Sequence, residues 1–184
     1  MALNDDATLI VGTGTYYTAT TDTAFPGDPL APGGSWENVG HTSLEDVFAA
    51  SSEGGEQTVI GTLQNKSLRT TYSARTEAFT FTLQQFDETA LMLYYGGNAV
   101  VNGDLLEIPT DPVPTEKAFL AVFEDGENYF CFYAPKSEIF RGDDLSIADT
   151  ESLAGLPVNV TPLISGSNDY AYAVTPLGTV ESPS

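Results

Sequence analysis

The sequence predicts a mainly β protein, a β-sandwich or barrel with one short packed α-helix and a long inter-strand loop, in a single domain over residues 1–184. Three observations carry this. Twenty-two threonines, many beside aromatic or β-branched residues, suit a pleated, half-buried surface. Seventeen glycines and eleven prolines punctuate the chain into short runs. The segment Ala78-Phe79-Thr80-Phe81-Thr82-Leu83 alternates apolar and polar with a period of two.

Taken in order, Thr8–Thr18 reads as a first strand containing two glycines. Residues 19–35 hold Pro26, Pro29 and Pro32 with three glycines and form an arm or loop. Trp36–Val39 is a short strand. From Gly40 to Arg75 the pattern weakens into a polar excursion, with modest strand signals at Thr58–Thr62 and Leu68–Tyr72; an excursion of that length is usually functional or flexible. The alternation over Glu77–Leu83 then places Phe79, Phe81 and Leu83 on one face.

A short helix follows. Asp87 is its N-cap, Phe86 and Leu91 form a hydrophobic staple across the cap, and Gly96-Gly97 stop it. Leu91, Tyr94 and Tyr95 make an apolar stripe at helical spacing, best read as core packing. Hairpins come next: Val100–Val101 with Leu105–Ile108 around Asn102-Gly103, and Lys117–Phe123 with Tyr129–Ala134. Glu138–Phe140, Leu156–Ile164 and Tyr170–Thr175 are further strand-like runs, and residues 176–184 form a polar tail. Eight to ten strands and one or two short helices are expected.

Composition excludes several functions. Only 17% of residues are charged, against about 25% in ordinary domains, and 26 of them are acidic against 6 basic, for a net charge of -20. Missing Lys and Arg dominate that imbalance. Phosphate-gripping nucleic-acid binding and attachment to anionic membranes need clustered basic residues and are not expected. Met1–Asp6 has no basic region preceding an apolar stretch, and no run approaches 18 apolar residues, so neither a secretory signal nor a membrane anchor is expected. The lone Cys131 sits in an apolar run and fills core space, compatible with a reducing cytosol.

Catalytic and metal constellations are lacking. A single histidine, His41, has no second His or Cys with which to build a zinc site or a nucleophile pair. Asp143-Asp144 and Asp125-Gly126-Glu127 do not match a calcium-loop spacing and read as solvated turns. Gly12-Thr13-Gly14 lacks the third glycine and the lysine of a phosphate loop. No enzyme activity and no cofactor are expected. What remains is a pattern of charge: Lys66, Arg69 and Arg75, half of all basic residues, fall in the polar excursion. Two readings stay open: ordinary solvated charge in a loop, or, if the excursion projects from the body, a basic loop whose complement is a second copy, a head-to-tail contact of the kind that builds rings or filaments.

The order of strand, proline-rich arm, Trp36–Thr42, polar excursion ending near Leu68-Arg69, alternating Phe79–Leu83, Asp87–Gly97 and hairpins resembles the major tail tube protein of long-tailed, siphovirus-type phages. It is most similar to those of phages of actinobacteria, over about Thr8–Val180. The resemblance implies a virion tail protein made in the host cytoplasm, a β-sandwich closing into hexameric rings stacked as a tube. It implies tape-measure, tail-tip and head-tail terminator proteins as partners, with DNA passing through unbound. The family's ring-stacking loop maps to residues 42–75, making Lys66, Arg69 and Arg75 the inter-ring contact candidates. Glu56 and Glu77, which flank candidate inner strands, are the candidates for lumen-facing acids. Six copies at -20 give a ring of -120, so acidic walls would offer passing phosphates no sticking point. Two alternatives stay open: another virion protein, for decoration or head-tail joining, and a monomeric lipocalin-like barrel with an aromatic-lined ligand pocket.

Overall fold

A computed structural model describes residues 8–145, 147 and 150–179. Its strands are β1 (Thr13–Ala19), β2 (Glu37–Asn38), β3 (Ala49–Gly54), β4 (Gln57–Ile60), β5 (Arg69–Tyr72) and β6 (Arg75–Leu83). After helix α1 (Glu88–Tyr95) come β7 (Val100–Asn102), β8 (Leu105–Glu107), β9 (Thr115–Asp125), β10 (Asn128–Arg141), β11 (Leu156–Pro162), β12 (Ala173–Val174) and β13 (Gly178–Thr179). Nine strands share one sheet in the order β2-β1-β9-β10-β11-β6-β3, with β12 and β13 also on β10. The pairs β4–β5 and β7–β8 are separate two-stranded sheets.

Strand β9 is buried on both faces from Ala118 through Phe123, and its alternation sorts side chains into two cores. Phe119, Ala121 and Phe123 point to one side, where Tyr16, Phe79, Phe81, Leu83 and the helix meet them. Ala118, Leu120 and Val122 point to the other, packing with Ala19, Trp36, Cys131 and Tyr133. The sheet curls around the first core. Tyr16 of β1 and Phe81 of β6 stand four places apart in the strand order, yet their rings stack 4.5 Å centroid to centroid. Curling follows from a register shift in the β9–β10 ladder between Ala134 and Ser137. Pro135 lies there, and a proline cannot donate to a ladder, so the strand bulges and bends.

A connector latches the two ends of the curled sheet. The Val39 N–H donates to the Tyr16 carbonyl at 3.0 Å, the Ser43 N–H to the Thr82 carbonyl at 2.9 Å, and the Gln84 N–H to the His41 carbonyl at 2.8 Å. The 19–35 arm does not project. It folds back over the second core: the Asp22 N–H donates to the Pro135 carbonyl, Tyr133 donates its hydroxyl to the Thr23 carbonyl at 2.7 Å, and Phe25 meets the Tyr133 ring edge-on.

Helix α1 begins and ends at the expected residues. Asp87 accepts the Ala90 N–H at 2.9 Å, and Gly96 adopts φ 114°, which a side chain would strain. Its inward face differs from the expected stripe. Ala90, Leu93 and Tyr94 are buried, whereas Leu91 and Tyr95 are only partly covered against the core. Phe86 stays 42% exposed rather than packing inward.

Other expectations need correction. The first strand starts at Thr13, not Thr8, because β9 ends opposite it at Glu124 and Asp125 and leaves nothing further to pair with. Leu9, Ile10 and Val11 are exposed. Glu138–Phe140 is no separate strand but the end of β10, since the bulge absorbs Pro135 without breaking the ladder. Tyr170–Thr175 contracts to Ala173–Val174, paired with Tyr133 and Phe132, and the Thr175 N–H donates to the Cys131 carbonyl at 3.1 Å. In the 176–184 tail, Gly178 and Thr179 pair with β10, and the remainder lies outside the described residues. The β7–β8 loop is Gly103-Asp104, one residue later than expected, as the Asn102–Leu105 pairing requires.

Candidate assembly interface

The expected long loop over residues 42–75 is largely a β-ribbon. Strand β3 pairs with β6 from Ala49–Thr80 to Gly54–Arg75, and β4 pairs with β5 from Gln57–Tyr72 to Ile60–Arg69. The two ladders are joined across the Gly54–Glu56 and Ser73–Ala74 junction. There the Gly55 N–H reaches the Ala74 carbonyl at 3.3 Å and the Ser73 N–H reaches the Glu56 carbonyl at 3.0 Å. Gly54 and Gly55 hold φ of 89° and 70°, and a Cβ on Gly54 would run into the Ala74 carbonyl oxygen. Successive left-handed residues let the ribbon change direction, which is why two glycines stand there.

From Ala49 to Thr76 every residue except Gly55 is exposed. One side of the β4–β5 ribbon carries Ile60 opposite Arg69 and Thr58 opposite Thr71; the other carries Val59 opposite Thr70 and Gln57 opposite Tyr72. Leu63 at the tip is 96% exposed, and Ile60, Leu68 and Tyr72 are also open to solvent. A lone two-stranded ribbon is marginally stable in water, and exposed apolar clusters mark contact surfaces.

The same ribbon brings the cations together. Lys66 lies in the turn between Gly61 and Leu68, Arg69 opens β5, and Arg75 opens β6 with its guanidinium against Gly55. None of the three has a salt bridge among the described residues, while Lys117 pairs with Glu37 at 3.4 Å and Lys136 with Glu116 at 3.1 Å. Arg141 lies over the Phe140 ring. The body's two lysines are neutralised locally, and the ribbon's cations are left for something else. Of the two acids, Glu56 is exposed at the ribbon junction. Glu77 is half-buried on the Phe79 side of β6 and accepts a hydrogen bond from Ser52 at 2.8 Å.

Sequence reasoning missed two parts of this surface. Strand β3, Ala49-Ala50-Ser51-Ser52-Glu53-Gly54, has no apolar alternation, because its register with β6 was the only available signal. The second is an acid-rimmed cleft of about 510 Å³ beside β6, lined by Glu45, Asp46, Phe48, Phe81 and Asp143. Its acids come from separate segments that only the fold unites.

The remaining chemistry is quiet. His41 is exposed and enters the structure through its backbone. Asp125 accepts the Ile10 N–H, and Asp143 accepts the Asp144 N–H at 2.8 Å, as carboxylates do in turns. Burial pushes the Cys131 thiol up to about 11, despite a hydrogen bond with Thr175 that favours the thiolate. Among the described residues no group of three or more His, Cys, Asp and Glu is placed to hold a metal, and no helix is long and apolar enough to cross a membrane. The curled sheet's interior is filled by stacked and edge-on rings, Tyr16, Phe48, Phe79, Phe81, Phe119 and Phe123, where the ligand-binding alternative needs a cavity.

Comparison with known proteins places the whole chain in a family. The chain is 36% identical to the major tail protein Gp23 of Mycobacterium phage D29, across 97% of this chain and 99% of that one. It is also 36% identical to the major tail protein Gp23 of Mycobacterium phage L5, across 89% and 88%. The profile of the family described as phage tail tube protein matches residues 1–176. A closed aromatic body bearing an exposed cationic ribbon, with these matches over nearly its whole length, belongs to the phage tail tube protein family as a structural component of the virion tail.

Proposed function

We propose that the chain assembles into hexameric rings that stack through the 49–76 ribbon into a hollow tube, the conduit through which the genome leaves the virion. The observation that carries this is the ribbon itself: exposed, apolar at its tip, and holding the three cations without a salt bridge on a protein of net charge -20. Subunits so acidic repel one another unless cations sit at their contacts. The ribbon supplies those cations where a neighbouring ring would lie. Six copies at -20 carry -120 per ring, and DNA presents one negative charge per about 1.7 Å of axis. Repulsion reaches about 8 Å at physiological salt, enough to keep a duplex off a carboxylate-lined wall. Glu56 and Glu77 are the wall residues in this reading.

The role is structural and not enzymatic, with one domain over residues 1–184, no cofactor, and the tape-measure, tail-tip and head-tail terminator proteins as partners at the tube's axis and ends. Purified protein examined by negative-stain microscopy should form hollow filaments of uniform width. The Lys66→Glu/Arg69→Glu variant should remain folded and fail to grow them. Tubes of normal length from that variant would end the stacking reading. Virions carrying Glu56→Lys/Glu77→Lys should keep their tails and eject DNA more slowly; unchanged ejection removes these two acids from the wall.

A further inference from the structure

Resting on the stacking reading above, we propose that the receptor for the ribbon on the neighbouring copy is the acid-rimmed cleft at the far end of β6. Polarity comes first. Strand β6 runs from Arg75, where the ribbon leaves the body, to Leu83, and the cleft is lined by Thr80 and Thr82 near that second end. From Arg69 to Thr82 is 13 residues, at most about 44 Å of chain at about 3.4 Å per residue, with a change of direction at Ser73–Ala74. Cations without salt bridges therefore project from one end of a strand and carboxylates surround a hollow at the other. A copy translated along the strand brings one copy's ribbon to the next copy's cleft, and the contact repeats without closing on itself.

Chemistry matches as well as polarity. The rim is Glu45, Asp46 and Asp143, with Asp144 on an adjoining hollow, and the floor is Phe48 and Phe81. None of these four carboxylates has a salt bridge among the described residues. The N–H groups of Glu45 and Asp46 are both held by the Ser43 hydroxyl, at 3.1 and 3.2 Å, so the rim is set by a fixed turn. A guest for this cleft needs an apolar point flanked by positive charge. The ribbon presents Leu63 and Leu68 around Lys66, and Ile60 opposite Arg69. Of the three remaining basic residues, Lys117 and Lys136 are paired within the body and Arg141 lies over the Phe140 ring. By contrast the hollow beside β1, lined by Val11, Gly14, His41 and Leu44, offers no carboxylate.

Charge exchange tests the pairing with full-length protein, reading tube by pelleting and negative-stain microscopy. Lys66→Glu/Arg69→Glu and Glu45→Lys/Asp46→Lys should each lower pelletable tube by at least about tenfold. The chain bearing all four substitutions should recover it to within about twofold, the signature of directly coupled sites. An equal mixture of the two double variants should also recover, because each supplies the end that the other needs. Wild-type tubes from the cleft variant, or no recovery when both doubles are folded and tube-free, would overturn the cleft while leaving stacking intact. Normal tubes from the ribbon variant would overturn both. Should the lysine substitutions unfold the protein, Lys66→Cys/Asp46→Cys keeps the question open to measurement: oxidised tubes should give a ladder of disulfide-linked chains. Tubes without a ladder would overturn the pairing, and buried Cys131 does not compete.

Discussion

The body and the ribbon are built from the same strand, and they obey opposite rules. In β6, Phe79, Phe81 and Leu83 are at most 3% exposed and lie among stacked rings, whereas Arg75 and Thr76 a few residues earlier are open to water. The body satisfies itself: two cores, a latch across the curled sheet, and lysines matched to nearby glutamates. The ribbon satisfies nothing but its own ladder, with its cations and leucines left over. Stability therefore resides in the one, and under the proposed stacking association resides in the other. Substitutions should separate them.

The largest effect belongs to the ring stack. Phe81→Ala removes a ring wedged between Tyr16 and Phe119 and should cost about 3–5 kcal/mol, read as a lowered midpoint in chemical denaturation; tubes should vanish with the fold. Alkaline pH attacks both cores. Burial raises Cys131 to about 11 and Tyr133 to about 12, and it also raises Tyr16. Between pH 9 and 11 the unfolded chain releases these protons while the native state keeps them, so stability falls as pH rises. Thermal melts from pH 8 to 11 check this, and a flat profile would contradict burial of these groups.

Smaller effects sharpen the boundary. Gly54→Val forces a side chain into a left-handed backbone, costing about 1–3 kcal/mol; hydrogen exchange should localise the loss to the ribbon, with the body's protection unchanged. Asp87→Ala deletes the helix cap and should cost about 1 kcal/mol, lowering the melting temperature without abolishing tubes. Least of all, replacing residues 57–72 by a short turn should alter monomer stability by no more than about 0.5 kcal/mol. That variant should nevertheless make no tube. A large loss of stability on excision would mean that the ribbon supports the body after all.

How much of this was legible varies with how local the cause is. The Ala78–Leu83 alternation, the Asp87 cap and the Lys117–Ala134 hairpin announce themselves, because each is set by neighbours in sequence. Strand β3 does not, since a strand exposed throughout carries no alternation and exists through its pairing with β6. The latch at Val39–Ser43 depends on Tyr16 and Thr82 arriving from distant positions. The three cations were visible as a cluster in sequence. The acids facing the opposite way were not, because Glu45, Asp46 and Asp143 converge only once β6 and β11 are paired.

Strand β6 also has a timing. Its neighbours in the sheet are β3, made before it, and β11, which begins at Leu156, 73 residues after Leu83. At about 5–20 residues per second of synthesis, β6 waits for several seconds with Phe79 and Phe81 uncovered on a half-finished sheet. The acid-rimmed cleft beside it needs Pro157 and Val158 as well. A nascent chain thus displays the ribbon long before it owns a place for another ribbon to dock. If that cleft is the receptor, a subunit becomes able to polymerise only once translation has passed Val158.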